Sequence, residues 1–100
     1  MFINVRKREF KIQNLKFEEL YDLNAIRILV NTVKDCYNAL SIIHSLWSPV
    51  PRQFDDYIAT PKSNGYRSIH TAVLGPGEKI LEIQIRTHQM HQNKFSDQVL

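Results

Sequence analysis

The sequence predicts an α+β fold in one domain of 100 residues. Three observations carry this prediction. A short run rich in β-branched residues at 25–30 is typical of a strand. Apolar residues at helical spacing follow at 36–47. A Gly-Pro-Gly-Glu turn at 75–78 joins two further strand-like runs, at 69–74 and 80–86, into a hairpin.

Ahead of these elements, residues 1–21 predict one amphipathic helix. Ile3, Phe10 and Phe17 recur every seven residues, and Leu20 completes the stripe. Two interpretations of the basic residues in this segment stay open, namely a solvated helix face and a surface that binds phosphate. These residues are Arg6, Lys7, Arg8 and Lys11.

The strand at 25–30 presents different residues on its two faces. Ile26, Ile28 and Val30 share one face because side chains alternate along a strand, and Arg27 points to the other. Asp22 precedes this strand, where it could act as a cap, an ion-pair partner or a site residue.

The helix at 36–47 has a start signal, an apolar stripe and a stop signal. Asp35 is a suitable N-cap, and Pro49 ends the helix because the residue before a proline avoids helical backbone angles. Cys36 is predicted to pack in the core, where free cysteines are common, and not to act as a nucleophile. The stripe consists of Cys36, Leu40, Ile43 and Trp47.

The second strand of the hairpin separates apolar from polar residues. Leu81, Ile83 and Ile85 share one face and are predicted to face the core. The other face is either a solvated sheet surface or a polar site, and it carries Glu82, Gln84 and Arg86.

The hairpin register decides which residues join this polar face. A loop of Pro76-Gly77-Glu78 places His70 opposite Gln84 and so on the polar face. A loop of four residues instead places His70 opposite Ile83, away from the polar row.

Composition narrows the function classes. The formal charge of +3 favours anionic partners without pointing to duplex DNA. One cysteine excludes an internal disulfide framework and fits a reducing compartment. There is no apolar run of signal-peptide or membrane-spanning length. We therefore expect a cytoplasmic protein that does not bind a membrane.

The segment Pro61–Thr71 concentrates groups that can hold a base and its phosphates. Lys62 and Arg67 are cations, Asn64 offers an amide, and His70 offers an imidazole. Tyr66 follows a glycine, so its ring is predicted to be exposed at a turn, where stacking on a base is worth about 1–3 kcal/mol. The alternative is a half-buried tyrosine that anchors the loop.

Two carboxylates from separate elements, Asp22 and Glu82, could converge on Mg²⁺, which prefers oxygen ligands and is often shared with phosphates. His88 and His91 lie three residues apart in a predicted final helix, but no third ligand at suitable spacing supports a zinc site. A glycine-rich phosphate-binding loop is absent from the sequence.

Six short motifs occur in order along the chain: Tyr21–Ile28, Asp35–Tyr37, Asp56–Ala59, Pro61–Tyr66, Ser68–Thr71 and Glu82–Thr87. With their compatible spacing they resemble the synthetase domain of RelA/SpoT-type stringent-response enzymes. The resemblance is strongest over residues 17–91. It implies a mixed, partly antiparallel β-sheet flanked by helices, of nucleotidyltransferase-like fold.

The resemblance also implies an activity, the transfer of pyrophosphate from ATP to the 3′-hydroxyl of GDP or GTP, which yields (p)ppGpp. Asp22 and Glu82 would hold Mg²⁺, and Glu82 would draw the proton from the 3′-hydroxyl. Tyr66 would stack on the guanine. The other implied acceptor-site residues are Lys62, Asn64 and His70, with Gln84 and Arg86 supporting Glu82.

Three features separate this chain from the general family pattern. Gln53-Phe54-Asp55-Asp56 resembles the acidic E-x-D-D of synthesis-only members, with Gln53 in place of the first Glu. The family's basic R-x-K…S-x-x-x-K helix, which grips the ATP phosphates, has no match upstream of Asp22. The sequence after His91 also departs from the family. We therefore expect a partial synthetase domain, altered at both ends, without a hydrolase domain.

Three hypotheses follow. The chain is an active (p)ppGpp synthetase that uses ATP, with oligomerisation possible. Alternatively, it is an inactive remnant that binds GDP or GTP as a regulatory or interaction module. A small RNA-binding domain is the third, which the lack of several interleaved aromatic residues disfavours.

Overall fold

Six strands and two helices make up the computed structural model, which describes residues 2–5, 8–18 and 23–93. In chain order they are β1 (Phe2–Val5), β2 (Arg8–Glu18), β3 (Leu23–Val30), α1 (Val33–Leu46), β4 (Asp55–Asp56), β5 (Ile69–Leu74), β6 (Ile80–Thr87) and α2 (His88–Gln92). Within these ranges, neither helix has the length and apolar character needed to cross a membrane.

The strands form one mixed sheet in the order β1-β2-β3-β6-β5-β4. Its centre is a parallel pair, β3 and β6, whose register runs from Leu23 opposite Ile80 to Val30 opposite Thr87. The neighbouring described strands pair in antiparallel fashion on either side of this pair. The predicted α+β class and the mixed, partly antiparallel sheet are confirmed.

The helix predicted over residues 1–21 is wrong, because the described parts of this segment are strands β1 and β2. Strand β2 pairs with β3 along its length, so its backbone hydrogen bonds are made by the sheet. Phe10 is buried against the core. A β-bulge between Asn14 and Lys16 shifts the alternation of side chains by one residue. Ile3 and Phe10 lie on different strands and pair directly across β1 and β2, so their spacing of seven comes from the pairing of these strands and not from a helix.

Helix α1 begins three residues earlier than predicted, and Thr32 is its N-cap, not Asp35. The Thr32 hydroxyl accepts a hydrogen bond from the Asp35 backbone N–H at 3.1 Å, which satisfies one of the free amides of the first turn. Asp35 lies in that first turn, where a negative charge suits the helix dipole. The helix ends at Leu46, before Pro49, as predicted.

One face of the sheet, which we call the core face, packs against α1. Ile28, Ile83 and Ile85 from the central strands join Ala39 and Ile43 of the helix in one buried cluster. Cys36 belongs to the same cluster, so its prediction as a core residue is confirmed. Burial, with the nearby charge of Asp35, raises the pKa of its thiol to about 12.

The hairpin of β5 and β6 adopts the first of the two predicted registers. His70 lies opposite Gln84, and Leu74 lies opposite Ile80. The Gly75 backbone N–H donates to the Lys79 carbonyl at 2.8 Å, which closes the loop. Gly77 has φ of 72°, a left-handed conformation that glycine adopts without a Cβ penalty. This register carries His70 to the polar face of the sheet.

Candidate functional site

The sheet face opposite α1, which we call the polar face, carries the candidate site. Alternation along the strands places Arg27 of β3, Glu82 and Gln84 of β6, and His70 of β5 on this face. A cavity of about 290 Å³ opens here. Its polar lining residues are Gln53, Asp55, His70, Thr71, Glu82 and Gln84.

Most of the polar row on β6 is not solvated. Gln84 and Arg86 are 4% and 0% exposed, whereas Glu82 remains exposed. The Arg27 Nε donates to Gln84 Oε1 at 3.2 Å, and its Nη1 donates to Gln13 Oε1 at 3.4 Å. Buried polar groups require such partners. The interpretation of a simple solvated face is therefore wrong for Gln84 and Arg86.

A tight turn between Lys62 and Tyr66 forms one wall of the site. The Gly65 N–H donates to the Lys62 carbonyl at 2.8 Å, and the Lys62 N–H donates to the Tyr66 carbonyl at 3.1 Å. Gly65 has φ of 88°, which this turn needs and which glycine supplies. The Asn64 side-chain oxygen accepts from the Tyr66 N–H at 3.0 Å. Asn64 thus shapes the turn that presents Lys62 and Tyr66.

Four side chains pack together beside this turn, and we call Tyr57, Lys62, Tyr66 and His70 the aromatic cluster. The Tyr66 hydroxyl and His70 Nε2 are 2.7 Å apart. The Tyr57 ring meets the rings of Tyr66 and His70 edge to face, with centroids 6.0 Å and 5.4 Å away. The Lys62 ammonium lies 4.7 Å from the Tyr57 centroid and 5.7 Å from the Tyr66 centroid. These are cation–π distances.

This packing corrects one prediction. Tyr66 was predicted to expose its ring, but it is 1% exposed. It is held by its hydroxyl contact with His70 and covered in part by Lys62. Its burial fits the alternative interpretation, a tyrosine that anchors the loop, in this conformation of the protein.

Burial keeps the centre of the aromatic cluster uncharged. Burial, together with the nearby Lys62 cation and against the opposing effect of Asp55, lowers the pKa of His70 to about 4. Burial also raises the pKa of the Tyr66 hydroxyl. At neutral pH the pair is therefore a neutral imidazole and a neutral phenol, which leaves Lys62 as the charged member of the cluster.

Helix α2 adds a second histidine, His91, which contacts the end of β6. Arg86 Nη2 lies 2.6 Å from His91 Nδ1. A guanidinium can only donate, so Nδ1 must accept, and a neutral His91 carries its proton on Nε2. Because Arg86 uses Nδ1, the contact ties α2 to the polar residues of β6.

The predicted metal ligands are only partly described. Asp22 lies outside the described residues, and Glu82 is an exposed carboxylate at the cavity wall. Among residues 2–5, 8–18 and 23–93 no group of three or more His, Cys, Asp or Glu side chains is arranged to hold a metal. Mg²⁺ needs no such group, since one or two carboxylates plus substrate phosphates commonly suffice. The exposed oxygen donors of Glu82 and Asp55 on one cavity fit that chemistry.

Sequence reasoning missed three residues that the fold brings to the site. Arg27 was placed on this face but given no role, and its partner Gln13 lay in a segment predicted to be helical. Tyr57 follows Asp55 by two residues, and Asp55 lies opposite His70, so alternation from that register could have found it. The signal was weak, because β4 has only two residues.

Comparison with known proteins identifies the family. Residues 3–96 match the region found in RelA / SpoT proteins. A GTP pyrophosphokinase of Escherichia coli (strain K12) is 55% identical over 86 residues, which are 86% of this chain and 12% of that protein. The chain therefore spans a small part of the curated relatives that it matches.

Solved structures of similar fold agree with this family match. The small alarmone synthetase 1 from Bacillus subtilis, bound to its product pppGpp, has a TM-score of 0.58 and 29% identity, covering 73% of this chain and 42% of that one. A GTP pyrophosphokinase family protein from Streptococcus pneumoniae has a TM-score of 0.61 and 26% identity, covering 80% and 51%. From its motifs, its sheet and these matches, the chain belongs to the RelA/SpoT family.

Proposed function

We propose that this chain is a (p)ppGpp synthetase domain whose polar face binds GDP or GTP and transfers to it a pyrophosphate from ATP in the cytoplasm. The observation that carries the proposal is the cavity of about 290 Å³ with Glu82 and Gln84 at its wall, and with His70 linking it to the aromatic cluster. The Glu82 carboxylate and the His70 imidazole line this open space, and the Lys62 ammonium and the tyrosine rings adjoin it through His70. A cation, flat rings and a carboxylate are the groups that a nucleoside diphosphate requires.

Lys62 and Tyr66 would act in sequence when the acceptor nucleotide binds. Lys62 now lies near the Tyr66 ring. An acceptor phosphate would attract the ammonium more strongly than the ring does, because a full charge outweighs a quadrupole. Movement of Lys62 to the phosphate would then uncover Tyr66 for guanine. Asn64 would hold the turn, and His70 would keep the Tyr66 hydroxyl in place.

Glu82 is the proposed general base for the 3′-hydroxyl, since its carboxylate is exposed on the cavity. Gln84 and Arg86 lie on the same face of β6 and would fix the backbone and the electrostatic field around Glu82. Asp22 and Glu82 would together hold Mg²⁺. When bound, the ion neutralises charge on the transferred phosphates and holds them in line, which is the main demand of phosphoryl transfer.

A second candidate is a module that binds GDP or GTP without catalysis. The observation that favours it is strand β2, whose Gln13 engages Arg27 on the polar face. The family resemblance leads one to expect a basic helix in this part of the chain to hold ATP. Without those cations, the donor phosphates would lose charge stabilisation where the transition state needs it.

Product formation distinguishes the two candidates. Labelled ATP is incubated with GDP or GTP, Mg²⁺ and the protein, and the alarmone is separated by chromatography. An active synthetase should lose at least about 10²-fold in rate on Glu82→Gln or Asp22→Asn. Glu78→Gln, at the exposed hairpin turn, serves as the matched control and should keep the parent rate.

Thermal unfolding with GDP completes the test. Either candidate predicts stabilisation, by about 2.7 kcal/mol at a ligand concentration of 100 Kd. Product points to the synthetase, and stabilisation without product points to the binding module. If the protein forms no product and GDP does not stabilise it, both candidates are refuted.

A further inference from the structure

The Asp56 carboxylate connects helix α1 to the segment that carries Tyr57. Its Oδ1 accepts from the backbone N–H groups of Ile58 and Ala59, both at 2.9 Å. Its Oδ2 accepts from the Tyr37 hydroxyl at 2.7 Å. Two bonds therefore fold the chain after β4 into a turn, and the third ties that turn to α1.

Charge strengthens this connection. Burial opposes ionisation of Asp56, but hydrogen bonds from the Ala59 N–H, the Tyr37 hydroxyl and the Ile58 N–H outweigh burial and lower the pKa of its carboxyl. The same hydrogen bond raises the pKa of Tyr37 to about 12. The contact is thus a phenol donating to a carboxylate across the neutral pH range, and charge-assisted bonds of this kind are short and strong.

Alternation along β4 puts this connection and the nucleotide cavity on opposite faces of the sheet. Asp55 lies opposite His70 and lines the cavity, whereas Asp56 lies opposite Ile69 and faces α1. Tyr57, one residue later, turns back toward the aromatic cluster. Tyr37 is not one of the described residues that line the cavity.

The position of Tyr57 matters to four partners. Its backbone N–H donates to the Ser68 carbonyl at 2.8 Å. Its ring packs on Tyr66 and His70, and it is the ring nearest to the Lys62 ammonium. A shift of Tyr57 would therefore change where Lys62 rests and how Tyr66 is held, without any change in a residue that contacts nucleotide.

We infer that Tyr37 is a positioning residue for the acceptor nucleotide: through Asp56 it fixes Tyr57, and with it the aromatic cluster that faces GDP or GTP. This inference rests on the proposed function for its ligand. Its structural part, the link from the Tyr37 hydroxyl to the Lys62–Tyr57 contact, stands on the geometry alone.

The test is Tyr37→Phe, which keeps the ring and removes the hydroxyl. Tyr37 is exposed, so the change opens no cavity in the core. The matched control is Ser45→Ala, which removes the 2.6 Å hydrogen bond from the Ser45 hydroxyl to the Ile42 carbonyl on the same helix, away from the cluster. GDP binding is measured by calorimetry, and the Lys62 side-chain protons are followed by NMR in protein labelled at lysine.

Lys62 over the Tyr57 ring should show ring-current-shifted resonances. We expect Tyr37→Phe to raise the Kd for GDP about five- to tenfold, within the range for one ordinary hydrogen bond, because the lost contact acts on the nucleotide only indirectly. It should also reduce the Lys62 shift in the free protein. Ser45→Ala should change neither quantity. Asp56→Asn, which weakens the same connection from its other end, should repeat the Tyr37→Phe result.

An unchanged Kd together with an unchanged Lys62 shift in Tyr37→Phe would overturn the inference, as would an equal loss in Ser45→Ala. Failure of the parent to bind GDP would instead count against the proposed function. In that event the Lys62 shift decides the structural part without nucleotide: a reduced shift supports it and an unchanged shift refutes it.

Discussion

Mild acid should destabilise this domain through His70. Burial and the Lys62 cation lower its pKa from 6.5 to about 4 in the folded protein. Between these values the unfolded chain binds more protons than the folded one, so stability rises with pH in this window. This cost to stability is absent above about pH 6.5, grows as the pH falls, and is complete below about pH 4.

The size of the effect follows from the two pKa values. From pH 8 to pH 5 the folded state would lose about 2 kcal/mol if the shift acted in full. His70 is only partly buried, and solvent screening reduces this to about 1 kcal/mol. For a domain of this length, 1 kcal/mol corresponds to roughly 4–8 °C in Tm.

The assay is urea unfolding of the parent and of His70→Gln at pH 8, 6 and 5. Glutamine does not titrate, whereas the charged neighbours of His70, namely Lys62, Asp55 and Arg86, are common to both proteins. The difference in acid sensitivity therefore isolates the imidazole. Parallel stability curves for the two proteins across this range would refute the reasoning, and so would a parent that grows more stable on acidification.

Three further changes test single contacts by urea unfolding. Thr32→Ala should lower the free energy of unfolding by about 1 kcal/mol, because it removes the side-chain cap of α1. An unchanged free energy would contradict the Thr32 cap and favour Asp35, the cap predicted from the sequence. Tyr66→Phe should cost about 1–3 kcal/mol, because it leaves the ring nitrogen of His70 without its 2.7 Å partner; a stabilised variant would contradict that contact. Gly77→Ala should cost about 1–2 kcal/mol from its φ of 72° alone, since a Cβ meets nothing within 4 Å; no loss would exclude the left-handed conformation.

The sequence was a good guide where short-range rules decide the structure. The Gly-Pro-Gly-Glu turn predicted the hairpin and narrowed its register to two, with His70 opposite Gln84 or opposite Ile83, and the structure has the first. Alternation also put Arg27 and Glu82 on the face that bears the cavity. These features depend on neighbours in the chain or on one strand pair, which the residue pattern encodes directly.

The sequence was a poor guide where burial depends on distant segments. Tyr66 beside a glycine indicates exposure, yet Tyr57, Lys62 and His70 close over it. The N-terminal segment misled for another reason, since Ile3 and Phe10 pair across β1 and β2, and their spacing of seven is one that a helix also produces. The spacing of residues along the chain does not show which strands pair.

The central parallel pair of β3 and β6 has a consequence for folding order. Residues paired across it, such as Arg27 and Gln84, are 57 apart in the chain, whereas the antiparallel pairs on either side join strands much closer in sequence. Closing a loop of this length costs about 3–4 kcal/mol of chain entropy before the pair repays it, so the two antiparallel halves should assemble first and join last. Until β6 pairs with it, β3 is an unpaired edge strand that can pair with strands of other molecules. Because Ala25 and Ile26 line the cavity from one side of this junction and Glu82 and Gln84 from the other, the proposed nucleotide site forms only at the final docking step.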